Sequence, residues 1–364
     1  MLALRNQSEC LFDEISLGEI MLRLDPGENR IRSTRSFSAW EGGGEYNVAR
    51  GLHKVFGLRT AVITSLVRNE VGALIEDLIM QGGVDTRYIK WREDDGIGRT
   101  TRNGLNFTER GFGIRGAFGT SDRGNTAASQ LVVEDFEWDL IFAHGVRWLH
   151  TGGIFAGLSE STAEVVEAAL TSARKYGTRI SYDLNYRPSL WKSIGGQQKA
   201  IEVNRRLAKY VDVMIGNEED FIAALGFSVD NHSESYADLN PADYIPMFEK
   251  VQEEFPNITL IATTLREVIS ASVNNWSAIG WSPEAGLVTS RSWNELAIFD
   301  RVGGGDSFAS GLIYGLLSEM SLAESVNLGA AHGALAMTTP GDTSMMSKVE
   351  VLKAASGGSA RVQR

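Results

Sequence analysis

Asp300-Arg301-Val302-Gly303-Gly304-Gly305-Asp306-Ser307-Phe308 runs straight into an apolar stretch that ends at Leu317. Three successive glycines let backbone N–H groups converge without side chains in the way. The helix predicted over 306–317 adds positive potential at its first turn. Together they predict an anion cradle, suited to negative charge building up on a transferring phosphoryl group. Asp306, at the head of that helix, is then placed to take a proton from an attacking hydroxyl. Taken alone, the stretch also reads as a turn with Asp306 as a plain N-cap.

Outward from this stretch, apolar runs of strand length alternate with amphipathic runs of helix length. Strands are predicted at 12–17, 60–66, 148–151, 179–184, 211–215 and 259–263. Helices are predicted at 47–56, 71–81, 159–176, 205–210, 218–225, 246–255, 306–317 and 322–337. Ser159 reads as a helix start, and Gly57 and Gly177 as C-terminal caps. Several strands are apolar at consecutive positions, as parallel strands covered on both faces are. The expectation is an α/β fold, a doubly wound, mostly parallel sheet in a single domain over 1–364. Two stretches, 23–41 and 96–126, are rich in Arg, Gly, Thr and Phe and read as small antiparallel strands forming a lid. Residues 228–241 read as a polar loop insertion and 356–364 as a tail.

Three further clusters carry candidate chemistry. Gly42-Gly43-Gly44-Glu45-Tyr46-Asn47 opens a helix; backbone there can approach a polyol, and Asn47 can both donate to and accept from hydroxyls. Asp183-Leu184-Asn185-Tyr186-Arg187-Pro188 follows an apolar strand, and ligands of open α/β sheets sit beyond the carboxyl ends of strands. Arg187 there can hold a carboxylate or phosphate through two parallel bonds, or form a structural ion pair. Asn217-Glu218-Glu219-Asp220 also follows a strand and suits Mg2+ bound with several waters, or a helix cap. Gly111-Phe112-Gly113-Ile114-Arg115-Gly116 fits a dinucleotide fingerprint in letters only, because no apolar strand precedes it and no apolar helix follows. There is no P-loop motif and no nucleophile elbow.

The 364 residues carry a net charge of -11, which makes nucleic acid and anionic membrane poor partners. A single cysteine, Cys10, excludes an intrachain disulfide and a Cys-based zinc site. The first residues lack a signal-peptide core, and no apolar run spans a bilayer, so a cytoplasmic setting is expected. The five histidines, His53, His144, His150, His232 and His332, show no paired metal spacing.

In this order the clusters resemble the ribokinase-like (PfkB) carbohydrate kinases, over about residues 12–342. Gly43, Gly44 and Asn47 match the family's N-terminal substrate motif. Asn217 and Asp220 match its N-x-x-E motif, and Asp300 to Asp306 match D-T-x-G-A-G-D. Residues 183–191, with 18–24, 121–123 and 340–342, look most like the 2-keto-3-deoxygluconate kinases. The resemblance implies transfer of the γ-phosphoryl group of ATP to a sugar acid, with Asp306 as base and Gly303, Gly304 and Gly305 as cradle. It implies that Gly43, Gly44, Asn47, Asn106, Ser121, Arg123, Arg187, Asp300 and Asp342 surround the sugar. It further implies that Asn185, Thr264, Arg266, Ser270, Gly303 and Gly305 hold ATP, and that Asn217 and Asp220 reach Mg2+ through water. A monovalent cation is a further candidate cofactor, and a homodimer through the lid is expected.

The sequence departs from the family at five positions. Gly304 stands for Ala, Arg301 for Thr and Asp220 for Glu, and Asn106 and Ser121 stand where lid tyrosines are common. A neutral-sugar kinase is the nearest alternative, and a non-catalytic sugar-binding regulator a more distant one. A nicotinamide-dependent dehydrogenase would carry its glycine fingerprint in the first βα turn, not near the C-terminus.

Overall fold

The computed structural model describes residues 2–227 and 240–358. The predicted loop insertion therefore lies outside the described residues except for Asn240 and Pro241, and the tail beyond Gly358 lies outside them too. The chain begins with β1 (Phe12–Leu17), β2 (Met21–Asp25), β3 (Ser38–Gly42), α1 (Gly44–Lys54), β4 (Thr60–Val67), α2 (Glu70–Gln81) and β5 (Asp85–Arg92). Next come β6 (Leu105–Glu109), β7 (Phe118–Asp122), α3 (Trp138–Ala143), β8 (Val146–Gly152), α4 (Gly153–Ala156), α5 (Glu160–Lys175) and β9 (Arg179–Asp183). They are followed by α6 (Pro188–Trp191), α7 (Gly196–Ala208), β10 (Val213–Gly216), α8 (Glu218–Leu225), α9 (Ile245–Glu254) and β11 (Leu260–Ser270). The last elements are β12 (Val273–Ser282), β13 (Gly286–Thr289), β14 (Trp293–Ala297), α10 (Gly304–Leu317), α11 (Leu322–Ala336) and α12 (Lys348–Ala355).

The large sheet runs β13-β12-β11-β10-β9-β8-β1-β4-β5, with β14 also on β12. From β5 to β11 every neighbouring pair is parallel. β1, β4 and β8 are buried at every position, as strands covered on both faces must be. The sheet is thus the expected parallel α/β sheet. The far edge is different: β12 pairs antiparallel with β11, β13 and β14, a hairpin extension the apolar pattern did not reveal. β12 is mostly buried but interrupts its apolar residues with Asn274, Asn275 and Ser277, and β13 and β14 are short and only partly buried, so none carries the continuous runs of the centre.

From β1 the chain builds outward through β4 and β5 on one side, then returns to β8 and builds the other way. The order reverses between β1 and β8, and a crevice opens there beyond the carboxyl ends of the strands. The α10 helix points its N-terminus at that crevice. Phe308, Leu312 and Ile313 on α10 are all fully buried, worth about 1.5–3 kcal/mol each, and fix the helix head in place.

The predicted lid exists as a separate sheet, β3-β2-β6-β7. It is mixed rather than wholly antiparallel, because β2 and β6 run parallel while β2–β3 and β6–β7 are antiparallel. Two separate stretches of chain supply its two hairpins, so the strands that meet in the middle need not be sequential. Ser159 caps α5 by accepting from Thr162 N at 3.2 Å, and Gly57 and Gly177 take the left-handed backbone expected after helices. No helix among the described residues is long and apolar enough to cross a membrane.

Candidate active site

The cradle forms as its sequence predicts. Gly303 caps α10 at φ +79°, and a Cβ there would collide with the Asp342 carbonyl oxygen, so only glycine fits. A Cβ on Gly304 would lie 3.0 Å from Met337 Cγ; the flexible methionine fills the room that the family's alanine methyl would take. Gly305 faces open space, with nothing within 4 Å of a would-be Cβ. Its backbone is the part of the cradle that a phosphoryl group can approach.

Asp306 is partly exposed at the floor of the crevice. Asn47 Nδ2 donates to its Oδ2 at 2.7 Å. Crowding by protein pushes the Asp306 carboxyl up to about 6; the nearby Asp342 also raises it, while Asn47 and Arg187 hold it down. Such a carboxyl is ionised at neutral pH yet basic enough to accept a proton. A Cβ on Gly44 would stand 3.5 Å from Asp306 Oδ1 and 4.0 Å from Asn185 Nδ2, so the bare Gly44 leaves the approach to Asp306 open. A Cβ on Gly43 would collide with the Glu19 carbonyl. The two glycine clusters, far apart in sequence, therefore meet across Asp306.

Glu45 is a residue that the motif reading passed over. Its carboxyl occupies the ground left bare by Gly18 and Gly152, where Cβ atoms would overlap or crowd it, at the ends of β1 and β8. Burial pushes it up to about 7. Asp183 is raised well above its ordinary value, by burial and then by Asp220 and Asp306. The crevice floor is thus a group of acids that repel one another, facing a few arginines.

Asn185 adopts φ +32°, uncommon for a residue with a side chain and frequent where function over-determines the backbone. Arg187 is exposed; its Nη1 donates to the Tyr186 carbonyl at 3.0 Å, and its charge lowers Asp183, Asp220 and Asp306. Arg301 is held below its ordinary value by burial and by the like charges of Arg266 and Arg187. The three guanidiniums therefore gather on one side of the crevice. Thr264 lies just past the sheet edge marked by Gly216 and Thr263. Ser270 does not join it: six residues further along β11, it sits about 20 Å away. There Gly113 of the lid donates to the Ser272 hydroxyl at 3.0 Å.

Five of the other expected sugar contacts have partners inside the protein. Asp300 is only 2% exposed; its Oδ2 accepts from Arg23 Nη2 at 2.5 Å and its Oδ1 from Val302 N at 3.2 Å. Asp342 also takes Arg23, through Nη1. Asp300 therefore braces the loop through Arg23 and Val302, while Asp342 keeps its Oδ2 beside Gly42. Arg123 Nε donates to Glu19 Oε2 at 2.8 Å, which leaves its Nη1 side for a ligand. Ser121 Oγ donates to Asn106 Oδ1 at 3.0 Å, and Asn106 Nδ2 donates to Thr108 Oγ1 at 3.0 Å, so these two lid residues bond each other and a neighbour.

Asn217 and Asp220 close a capping box at the start of α8. Asp220 N donates to Asn217 Oδ1 at 3.0 Å, and Asn217 N to Asp220 Oδ2 at 2.9 Å. The other Asp220 oxygen accepts from Tyr186 N at 2.8 Å. These side chains thus cap α8. No three His, Cys, Asp or Glu among the described residues gather as a metal site. A Mg2+ ion here would keep most of its waters, and Asp220 would reach it through one of them.

Known proteins share this fold and much of its sequence. The crystal structure of 2-dehydro-3-deoxygluconokinase from Thermotoga maritima superposes with a TM-score of 0.86 at 37% identity, covering 94% of this chain and 99% of that one. A 2-dehydro-3-deoxygalactonokinase of Haloferax volcanii is 26% identical over 96% of this chain and 98% of its own. A 5-dehydro-2-deoxygluconokinase of Geobacillus thermodenitrificans is 27% identical over 90% of this chain and 88% of its own. The profile of the pfkB family carbohydrate kinases matches residues 14–349, and the chain belongs to that family.

Proposed function

We propose that this carbohydrate kinase phosphorylates a deoxygenated keto sugar acid, with 2-keto-3-deoxygluconate, made into its 6-phosphate, as the first choice. The observation that carries the reading is Asp306, its carboxyl pushed up to about 6 and set between Gly44 and the open side of Gly305. The sugar hydroxyl gives its proton to Asp306 as its oxygen attacks the γ-phosphorus. The bond from that phosphorus to the β-bridging oxygen breaks, and ADP leaves. The glycine cradle and the α10 N-terminus bind the charge that grows on the phosphoryl oxygens. Mg2+, bound with the nucleotide, supplies charge neutralisation at the phosphates.

The acid group of the substrate is supported by Arg187, which is exposed and in no ion pair among the described residues, and by the free side of Arg123. The named relatives act on several keto-deoxy sugar acids, so the stereochemistry is the finer part of the proposal. The neutral-sugar alternative draws on one observation, the pairing of Arg123 with Glu19. A coupled ADP-release assay over 2-keto-3-deoxygluconate, 2-keto-3-deoxygalactonate, 5-keto-2-deoxygluconate, fructose and ribose decides. The proposal expects the highest kcat/KM on 2-keto-3-deoxygluconate; a preference for fructose or ribose would overturn it.

A further inference from the structure

Arg23 lies on β2 of the lid and is 1% exposed. Its guanidinium meets three carboxylates: Asp25 at 3.3 Å, Asp300 at 2.5 Å and Asp342. A second lid arginine, Arg110, donates to Asp25 Oδ2 through Nε at 3.2 Å and Nη2 at 3.1 Å, and lies 4.6 Å over the Phe299 ring. Trp40 of β3 covers Gly341, close enough that a Cβ there would stand 3.2 Å from the indole. The lid therefore reaches the Phe299–Asp300 segment and the Gly341–Asp342 segment through buried charge and one flat aromatic contact.

Those two segments flank the cradle. Asp300 Oδ1 accepts from Val302 N and shapes the turn into Gly303. The Asp342 carbonyl packs against Gly303 so closely that no side chain fits between them. A cradle works by holding donors at the right place before charge develops, and small displacements cost rate steeply. Arg23 contacts neither Gly305 nor Asp306, yet both supports of Gly303 hang on its guanidinium. A planar fork can bond two carboxylates at once, which an ammonium does poorly.

We propose that Arg23 is a positioning residue: from its place in the lid it holds Asp300 and Asp342 on the two sides of Gly303, so the glycine cradle takes its working shape only when the lid is seated. The claim rests on the kinase reading of the site and not on which sugar is used.

The test compares Arg23→Met, Arg23→Lys and Arg110→Met with Arg59→Met. Arg59 bonds Asp13 at the opposite end of the strands and serves as a control for stability loss. Each is assayed with whichever sugar the panel identifies, and each is titrated with ADP alone and with ADP plus aluminium fluoride, a mimic of the transferring phosphoryl group. For Arg23→Met the expected result is a kcat lower by about 10²-fold, the scale of losing an anion-hole donor, with sugar KM changed far less. ADP–aluminium fluoride should bind more weakly in proportion, while ADP alone binds as before. Arg23→Lys should fall between, and Arg110→Met should show the same pattern more mildly, which keeps the test open if Arg23→Met does not fold. Arg59→Met should lose stability and keep kcat. Wild-type kcat in folded Arg23→Lys and Arg110→Met, or equal weakening of ADP with and without aluminium fluoride, overturns the proposal.

Discussion

Asn47 Nδ2 donates to Asp306 Oδ2 at 2.7 Å, joining residues 259 positions apart in the chain. A hydrogen bond to the charged form of a carboxyl favours that form, so Asn47 holds the Asp306 value down while burial lifts it to about 6. Asp306 must be ionised to accept a proton. The kcat/KM profile should therefore fall as pH drops through about 6. Asn47→Ala removes the stabilising bond, raises the Asp306 value and moves the acid limb to higher pH. An acid limb left in place in that variant would detach Asp306 from the titration.

Gly44→Ala tests the open approach to Asp306. The added methyl meets Asp306 Oδ1 at ordinary contact distance, so the chain should fold with stability within about 1 kcal/mol of wild type. The methyl occupies the route of the attacking hydroxyl, so kcat/KM for the sugar should fall at least tenfold while ATP binding holds. Gly43→Ala collides with backbone and should fail to fold well. Steady-state kinetics with a thermal melt separates the two; equal behaviour would refute the assignment.

Glu14 offers a stability test far from the chemistry. It is fully buried on β1, bonded by Ser16 Oγ at 2.5 Å, with its Oε2 unpartnered, and burial raises its carboxyl well above the ordinary 4.5. The folded protein keeps it protonated, whereas the unfolded chain ionises it above its ordinary value. Its contribution is thus fully present below that value and is lost as pH rises, by up to about 1.4 kcal/mol per pH unit. Glu14→Gln removes this loss. Urea midpoints should favour the variant at pH 7 and converge with wild type near pH 4; no pH dependence of the difference would contradict this.

The lid leaves apolar surface uncovered. β7 is exposed along its whole length, Phe118 is 55% exposed, and Phe37 packs edge-on to Phe107 on the same small sheet. Two hairpins alone are marginal in water, and a second copy would cover this face. Light scattering at micromolar concentration should give a dimer, and Phe118→Asp a monomer. A monomeric wild type would remove the dimer and leave the lid.

Much of this was legible in sequence because it is local. The strand at 12–17 and the helix at 218–225 follow from apolar runs bounded by caps, and the cradle from three glycines before an acid. What escaped depends on distant partners. Arg23 reads as an ordinary charge on a strand, since two of its carboxylates lie 277 and 319 residues away. The helix predicted over 205–210 begins at Gly196, whose positive φ and glycine neighbour hide the start. Glu45 escaped because its seat is made by Gly18 and Gly152, each unremarkable alone.

The acid group proposed for the substrate is tested at the arginines. Loss of one partner of a desolvated charge pair costs about 2–5 kcal/mol. Arg187→Ala or Arg123→Ala should therefore lower kcat/KM steeply on 2-keto-3-deoxygluconate and little on fructose. Equal losses on both sugars would mean that the arginine shapes the site or meets phosphate.

The most direct measurement of the central claim is single-turnover phosphoryl transfer by Asp306→Asn, with ATP and 2-keto-3-deoxygluconate both saturating. The carboxamide keeps the shape and the contact with Asn47 but cannot take the proton. The account predicts a rate lower by about 10²–10⁴-fold, with dissociation constants for ATP and sugar close to wild type. A variant that transfers phosphate at near the wild-type rate would contradict it.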